Sequence, residues 1–240
     1  MTGLIYKEWK QNRWFILSMI LCGSFPLMVC LFFSGQIHDA DNLSTCLMSS
    51  TVGAFLAAGA LQMLVVGGDD RKLWGYFISS SPEGYRGFLR IKYEMVFAME
   101  VLFLITIQYA DALSCAAAAD IGIERTQEAE QLAESTAMIL AFVQILFRAI
   151  DIPFVYRFGA KKGSVIKMIC FVSLVILLTG VCILKIDDLD IVSDRIMAAL
   201  NGEQSSFLLP VVFLAVLAAY IVSWFVTCRL YLKGVEQYDK

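Results

Sequence analysis

Four side chains with charge or a strong dipole fall where the surrounding sequence reads as hydrocarbon-embedded: Glu100, Gln144, Arg148 and Asp151. Gln144, Arg148 and Asp151 are spaced four and three residues apart, which puts them on one face of a helix. An uncompensated arginine near the middle of a bilayer costs at least about 2.5–3.5 kcal/mol. Arg148 must therefore face protein or a water-filled cavity. Glu100, at similar depth in a separate apolar run, and Asp151, one turn away, are both feasible counter-ions. Three chemistries fit these residue types: an internal clamp between spans, a polar lining or gate of a path, and a proton relay. The closeness of opposite charges favours the clamp.

The sequence offers little other chemistry. Seven cysteines (Cys22, Cys30, Cys46, Cys115, Cys170, Cys182 and Cys228) lie in or beside apolar runs and form no CxxC pair. They read as small buried hydrophobes, with no disulfide framework and no metal site. His38 is the single histidine, and no HExxH, SxxK or GxSxG motif is present. Gly159-Ala160-Lys161-Lys162-Gly163 does not satisfy the GxxxxGK[ST] spacing, so ATP hydrolysis by a P-loop mechanism is not expected of this chain. No catalytic residue, cofactor or metal is assigned to it.

The positioning elements are helices in lipid. Of 240 residues, 59% are hydrophobic and only 17% charged, with a mean hydropathy of +0.71; soluble domains carry about 25% charged residues. Several continuous apolar runs of about 20 residues match the length that crosses roughly 30 Å of hydrocarbon. Their continuity argues against a β-barrel, whose strands alternate. The expected fold is all-α, with six transmembrane helices near 14–36, 44–66, 91–112, 135–158, 165–184 and 207–228, forming a single transmembrane domain over 1–240. The first run is too long for a signal peptide and is read as a retained span. Gly23 and Pro26 inside it predict a kink or a close helix contact. Gly53, Ala54, Ala57, Ala58, Gly59 and Ala60 give the second span a small-residue surface for tight packing.

Basic residues set the orientation. With an even number of spans both termini share a side. That side carries fifteen of the 19 Lys and Arg residues, the opposite side only Arg125, Lys185 and Arg195, and Arg148 lies inside a span. Both termini are therefore expected in the cytoplasm of a multi-pass protein, in a bacterial plasma membrane. The acidic external loops, 120–134 and 185–206, follow largely from this depletion of cations, although they would also attract cationic cargo. Ile191, Ile196, Met197 and Leu200 suggest a short interfacial or re-entrant helix in the second.

Two amphipathic stretches flank the spans. Residues 1–13 set Ile5 and Trp9 on one helical face and Lys7 and Lys10 mostly on another, as an interfacial helix does, with Lys7, Glu8 and Trp9 its marked residues. The cytoplasmic stretch 69–92 mixes charge with aromatics. Arg71, Leu73, Trp74 and Phe77 fall within a short amphipathic helix. Ser81 and Pro82 then read as N-cap and first residue of another, whose faces carry Tyr85, Phe88 and Leu89, and Arg86 and Arg90. Joined at a Ser-Pro elbow, the two helices make either a docking element or a pair of surface-lying helices.

The acidic-Arg-Lys start (Asp70-Arg71-Lys72), the elbow Ser80-Ser81-Pro82-Glu83, the Lys92-Tyr93 entry to the third span and the opening Lys7-Glu8-Trp9 resemble the permease subunits of ABC-2 type exporters, in particular small six-span permeases for peptides, bacteriocins and phenol-soluble modulins. The elbow departs from the family's usual Leu-Pro-x-Ser-Arg. The resemblance implies that 69–90 is a coupling segment seated in a cleft of a separate ABC ATP-binding subunit, with Arg71, Leu73, Trp74, Phe77, Pro82, Tyr85, Arg86 and Phe88 as contacts. ATP and Mg would sit on that subunit. It further implies a second permease copy, as homodimer or related heterodimer, and a peptide or other amphipathic cargo crossing the lipid bilayer, with no nucleic-acid partner. An ion-coupled secondary transporter using Glu100, Arg148 and Asp151, and a non-transporting membrane scaffold, are the competing readings.

Overall fold

The computed structural model describes residues 2–33, 39–68, 84–120, 122–123, 125–159, 162–163, 165–170, 172–173 and 205–237. All regular secondary structure among them is helical: α1 (Thr2–Gly23), α2 (Phe25–Phe33), α3 (Ala40–Gly67), α4 (Gly84–Ala119), α5 (Gln127–Phe158) and α6 (Ser205–Gln237), with further helical residues at 162–163, 165–170 and 172–173. Among the described residues four stretches are long and apolar enough to cross a membrane: Ala40–Gly67, Gly84–Ala119, Ala129–Phe158 and Pro210–Tyr231. The bent α1–α2 pair makes up to five. Six spans were expected. Most of the expected fifth, 165–184, and the external stretch 185–206 lie largely outside the described residues. Large apolar side chains such as Leu56, Leu64, Ile105, Leu214, Ile221 and Phe225 are exposed on these helices, as suits surfaces that meet lipid rather than water.

At the amino terminus the stretch 1–13 and the start of the first expected span run together. Residues 2–23 form one continuous helix, because nothing between Thr2 and Gly23 breaks it. The break comes at Ser24, where α1 and α2 meet at a 45° bend. Pro26 lacks an N–H, and its ring crowds the carbonyl four residues back, that of Cys22. Hydrogen bonds from the Ser24 N–H to Ile20 O (3.0 Å) and from the Met28 N–H to Ser24 O (3.1 Å) bridge the bend, and the Ser24 hydroxyl donates to Leu21 O. Gly23 makes the close contact its position suggested: a Cβ there would stand 2.8 Å from Thr106 Cβ on α4.

The chain divides into two compact units, Met1–Arg148 and Ala149–Lys240. In the first, α1 and α2 pack against both α3 and α4. Its core gathers Met19, Ala54, Phe55, Ala58, Val65, Met99, Phe103, Ile107, Ala137 and Ala141. Phe55 and Phe103 meet edge to face, with centroids 4.8 Å apart at 87°, the geometry ring quadrupoles favour. Ala54 and Ala58 are buried on the small-residue face of α3, whereas Gly53 meets open space. At the 39–47 end, Cys30, Leu43, Leu47 and Ala118 form a smaller cluster. Arg125 seals it, donating to both carboxylate oxygens of Asp111 at 3.0 and 3.2 Å.

In the second unit Pro153 interrupts the ladder of α5, freeing the carbonyl of Ala149 four residues earlier. The Ser223 hydroxyl of α6 donates to that carbonyl. Neighbouring hydroxyls satisfying a freed backbone group are what makes proline tolerable in a spanning helix. The helix ends where Gly159 takes φ +81°, a left-handed C-terminal residue that glycine adopts without steric cost. The Gly163 N–H then donates to Gly159 O at 2.7 Å. A Cβ on Gly163 would stand 2.6 Å from the Phe154 carbonyl oxygen. Gly159 and Gly163 thus both serve backbone geometry.

Candidate functional site

Helices α3, α4 and α5 each contribute to a buried polar cluster within the first unit. Gln62, Glu100, Gln144 and Arg148 retain 0%, 2%, 6% and 8% of their exposure. The Gln62 amide donates to Glu100 Oε2 at 2.5 Å. A carboxyl group and a guanidinium thus share one low-dielectric environment. Gly59 lies over this group: its missing Cβ would stand 3.4 Å from Arg148 Nη2 and 3.6 Å from Gln144 Nε2. A glycine there lets α3 approach the polar stripe of α5. Among the described residues Glu100 Oε1, Gln62 Oε1 and Gln144 Nε2 have no hydrogen-bond partner, so the cluster retains polar capacity beyond its internal bonds.

Gln62 is the member that sequence reasoning missed. It is the one amide side chain in the apolar run 44–66, and that isolation was the signal available. Asp151 belongs to the second unit. Its side chain is 2% exposed and has an ion-pair partner in Lys167, with Nζ 2.6 Å from Oδ1. In the sequence Lys167 is one of the basic residues between the fourth and fifth expected spans. Its role needed the fold, because sixteen residues and a chain reversal separate it from Asp151.

A second constellation joins α1 to α4. Glu8 and Lys92 are 1% and 0% exposed, and Lys92 Nζ stands 2.7 Å from Glu8 Oε2. Lys7 donates to Glu8 Oε1 at 2.8 Å. Asn12, one turn on, donates to Glu8 Oε2 at 3.1 Å and to Glu8 O at 3.0 Å. The ring of Phe88 lies 5.8 Å from Lys7 Nζ and 5.9 Å from Lys92 Nζ, within cation–π range. Trp9, by contrast, is 61% exposed. Lys7, Glu8 and Trp9 thus separate into two inward-facing partners and one outward-facing aromatic.

Of the eight expected coupling residues, Arg71, Leu73, Trp74, Phe77 and Pro82 lie outside the described residues, as does the Ser81 cap. Tyr85, Arg86 and Phe88 are in the first turns of α4. Gly84 opens that helix at φ +59°. Arg86 is exposed and Tyr85 half-buried, with the guanidinium 6.0 Å from the Tyr85 ring centroid. Phe88 departs from the expectation. It is 1% exposed and turns towards Lys7 and Lys92, because its position four residues before Lys92 puts both on the face of α4 that packs on α1. Among the described residues no group of three or more His, Cys, Asp or Glu is arranged to hold a metal ion.

The helical fold, the apolar exposed surfaces and the buried charges define a multi-pass membrane protein. The model of the ABC-2 family transporter protein matches residues 3–232, nearly the whole chain, and the chain belongs to that family. No curated protein and no solved structure matches it. Membership points to the membrane permease of an ABC exporter, a component that is generally non-catalytic, and implies an ATP-binding partner subunit.

Proposed function

We propose that this chain is the membrane-spanning permease subunit of an ATP-driven exporter, working as a dimer with a separate ATP-binding subunit and moving amphipathic peptides outward. The family match over residues 3–232 is the observation that carries this reading. ATP and Mg belong to the partner, consistent with the lack of a P-loop motif in the sequence. The excess of basic residues puts both termini and the 69–92 stretch in the cytoplasm. There Arg71, Leu73, Trp74, Phe77, Pro82, Tyr85 and Arg86 dock with the partner, while Phe88 supports the start of α4 from inside. The peptide cargo rests on the likeness to small six-span peptide exporters.

Within the spans, Gln62, Glu100, Gln144 and Arg148 act as a clamp that holds α3, α4 and α5 in register. Burial of all four, with a carboxyl group and a guanidinium among them, supports the clamp over a water-exposed lining. The test is reconstitution with an ATP-binding cassette subunit that co-purifies with this chain. Inside-out proteoliposomes are expected to accumulate an amphipathic peptide only with ATP and Mg. Accumulation that needs no ATPase and follows a proton gradient would establish the ion-coupled reading instead.

A further inference from the structure

The Glu8–Lys92 pair has a location that its stability alone does not explain. Taking a carboxylate and an ammonium out of water is costly, and an apolar pair of similar volume is often as stabilising. What an ionic pair adds is register: it is satisfied in one alignment of two helices and penalised in its neighbours. Both charges here are almost completely enclosed, and both oxygens of Glu8 are engaged, Oε1 by Lys7 and Oε2 by Lys92 and Asn12. Lys92 stands in the third turn of α4, just after the 69–83 stretch. Glu8 stands on a helix that runs unbroken to Gly23. There Gly23 presses against Thr106 of the same α4. The two helices are thus fastened at two points, one ionic and one steric.

We propose that the Glu8–Lys92 ion pair is the joint through which a displacement delivered at the start of α4 is passed to α1, so that the two helices move as one lever during transport. This rests on the reading of 69–90 as the coupling segment that engages the ATP-binding subunit. Glu8 and Lys92 are then positioning residues. Asn12 and Lys7 hold the carboxylate in the rotamer that meets Lys92, and Phe88 shields the pair from water.

The experiment measures peptide transported per ATP hydrolysed by the reconstituted complex, together with co-purification of the ATPase. In Glu8→Gln and Lys92→Met, ATPase binding and hydrolysis are expected to persist, while transport per ATP falls by about 5–150-fold, the usual range of coupling between sites. Lys92→Arg keeps the charge and is expected to retain most of the ratio. The double variant is expected to be no worse than either single change, since the joint is already open. An unchanged ratio in the single variants, or a further multiplicative loss in the double, overturns the proposal. Should Glu8→Gln fail to fold, Asn12→Leu keeps the pair but removes its orienting bonds; it is expected to lower the ratio, and an unchanged ratio again overturns the proposal. If the unmodified chain itself binds no ATPase, the exporter reading fails as well; if it binds and turns over ATP normally, failure concerns the joint alone.

Discussion

Changing Glu100 to Gln tests the intramembrane clamp most directly. The substitution removes the negative charge but leaves an oxygen able to accept the bond from Gln62, so charge is separated from hydrogen bonding. Glu100 is 2% exposed and Arg148 8%, so neither charge is relieved by water. Breaking a buried pair by neutralising one partner costs about 3–5 kcal/mol, and an isolated arginine at the bilayer centre costs at least about 2.5–3.5 kcal/mol. Glu100→Gln is therefore expected to destabilise the fold by about 3 kcal/mol, roughly 100-fold in the folded-to-unfolded ratio at 1.4 kcal/mol per tenfold. Arg148→Met is expected to cost about 2 kcal/mol, because an abandoned buried carboxyl takes up a proton. The double variant, with no charge left to strand, is expected near the milder single change, a departure from additivity of about 2–3 kcal/mol. Equilibrium unfolding in mixed micelles, followed by tryptophan fluorescence, measures all four corners of the cycle. Additivity within about 0.5 kcal/mol would show that the two residues do not act on each other, and the clamp would fall. A double variant that is stable but transports nothing would move the cluster from clamp to path.

Three further outcomes follow from single contacts. Gly23→Val is expected to destabilise by about 1–3 kcal/mol in the same unfolding assay, because its Cβ would overlap Thr106 at 2.8 Å; an unchanged midpoint would mean α1 and α4 are not in close contact there. Ser223→Ala leaves the Ala149 carbonyl without its donor and is expected to cost about 1–3 kcal/mol; Pro153→Ala in the same background should recover much of it, since α5 then supplies its own N–H. Arg125→Met strands Asp111, which is only part-buried at 28%, so a smaller loss of about 1 kcal/mol is expected. Hydrogen exchange at 120–126 should rise with it, and unaltered protection would show that Arg125 does not tie that stretch down.

Much of the protein was legible in its sequence because hydrocarbon imposes strict terms. Runs near 44–66, 91–112, 135–158 and 207–228 could only be helices, since a spanning backbone must satisfy its own hydrogen bonds, and each falls within a helix of the fold. Pro26 beside Gly23 marked the bend, and the 4-3 spacing marked Gln144, Arg148 and Asp151 as a buried face. The tertiary structure decided which charges meet. Glu8 and Lys92 lie 84 residues apart, Gln62 and Glu100 lie 38 apart, and Lys167 reaches Asp151 only after the Gly159 turn. No local pattern encodes such pairings, because helix periodicity fixes the face a residue occupies but not the neighbour that face will find. The same limit sent Phe88 inward: its period placed it on a face with Lys92, and only the packing of α1 on α4 made that face the buried one.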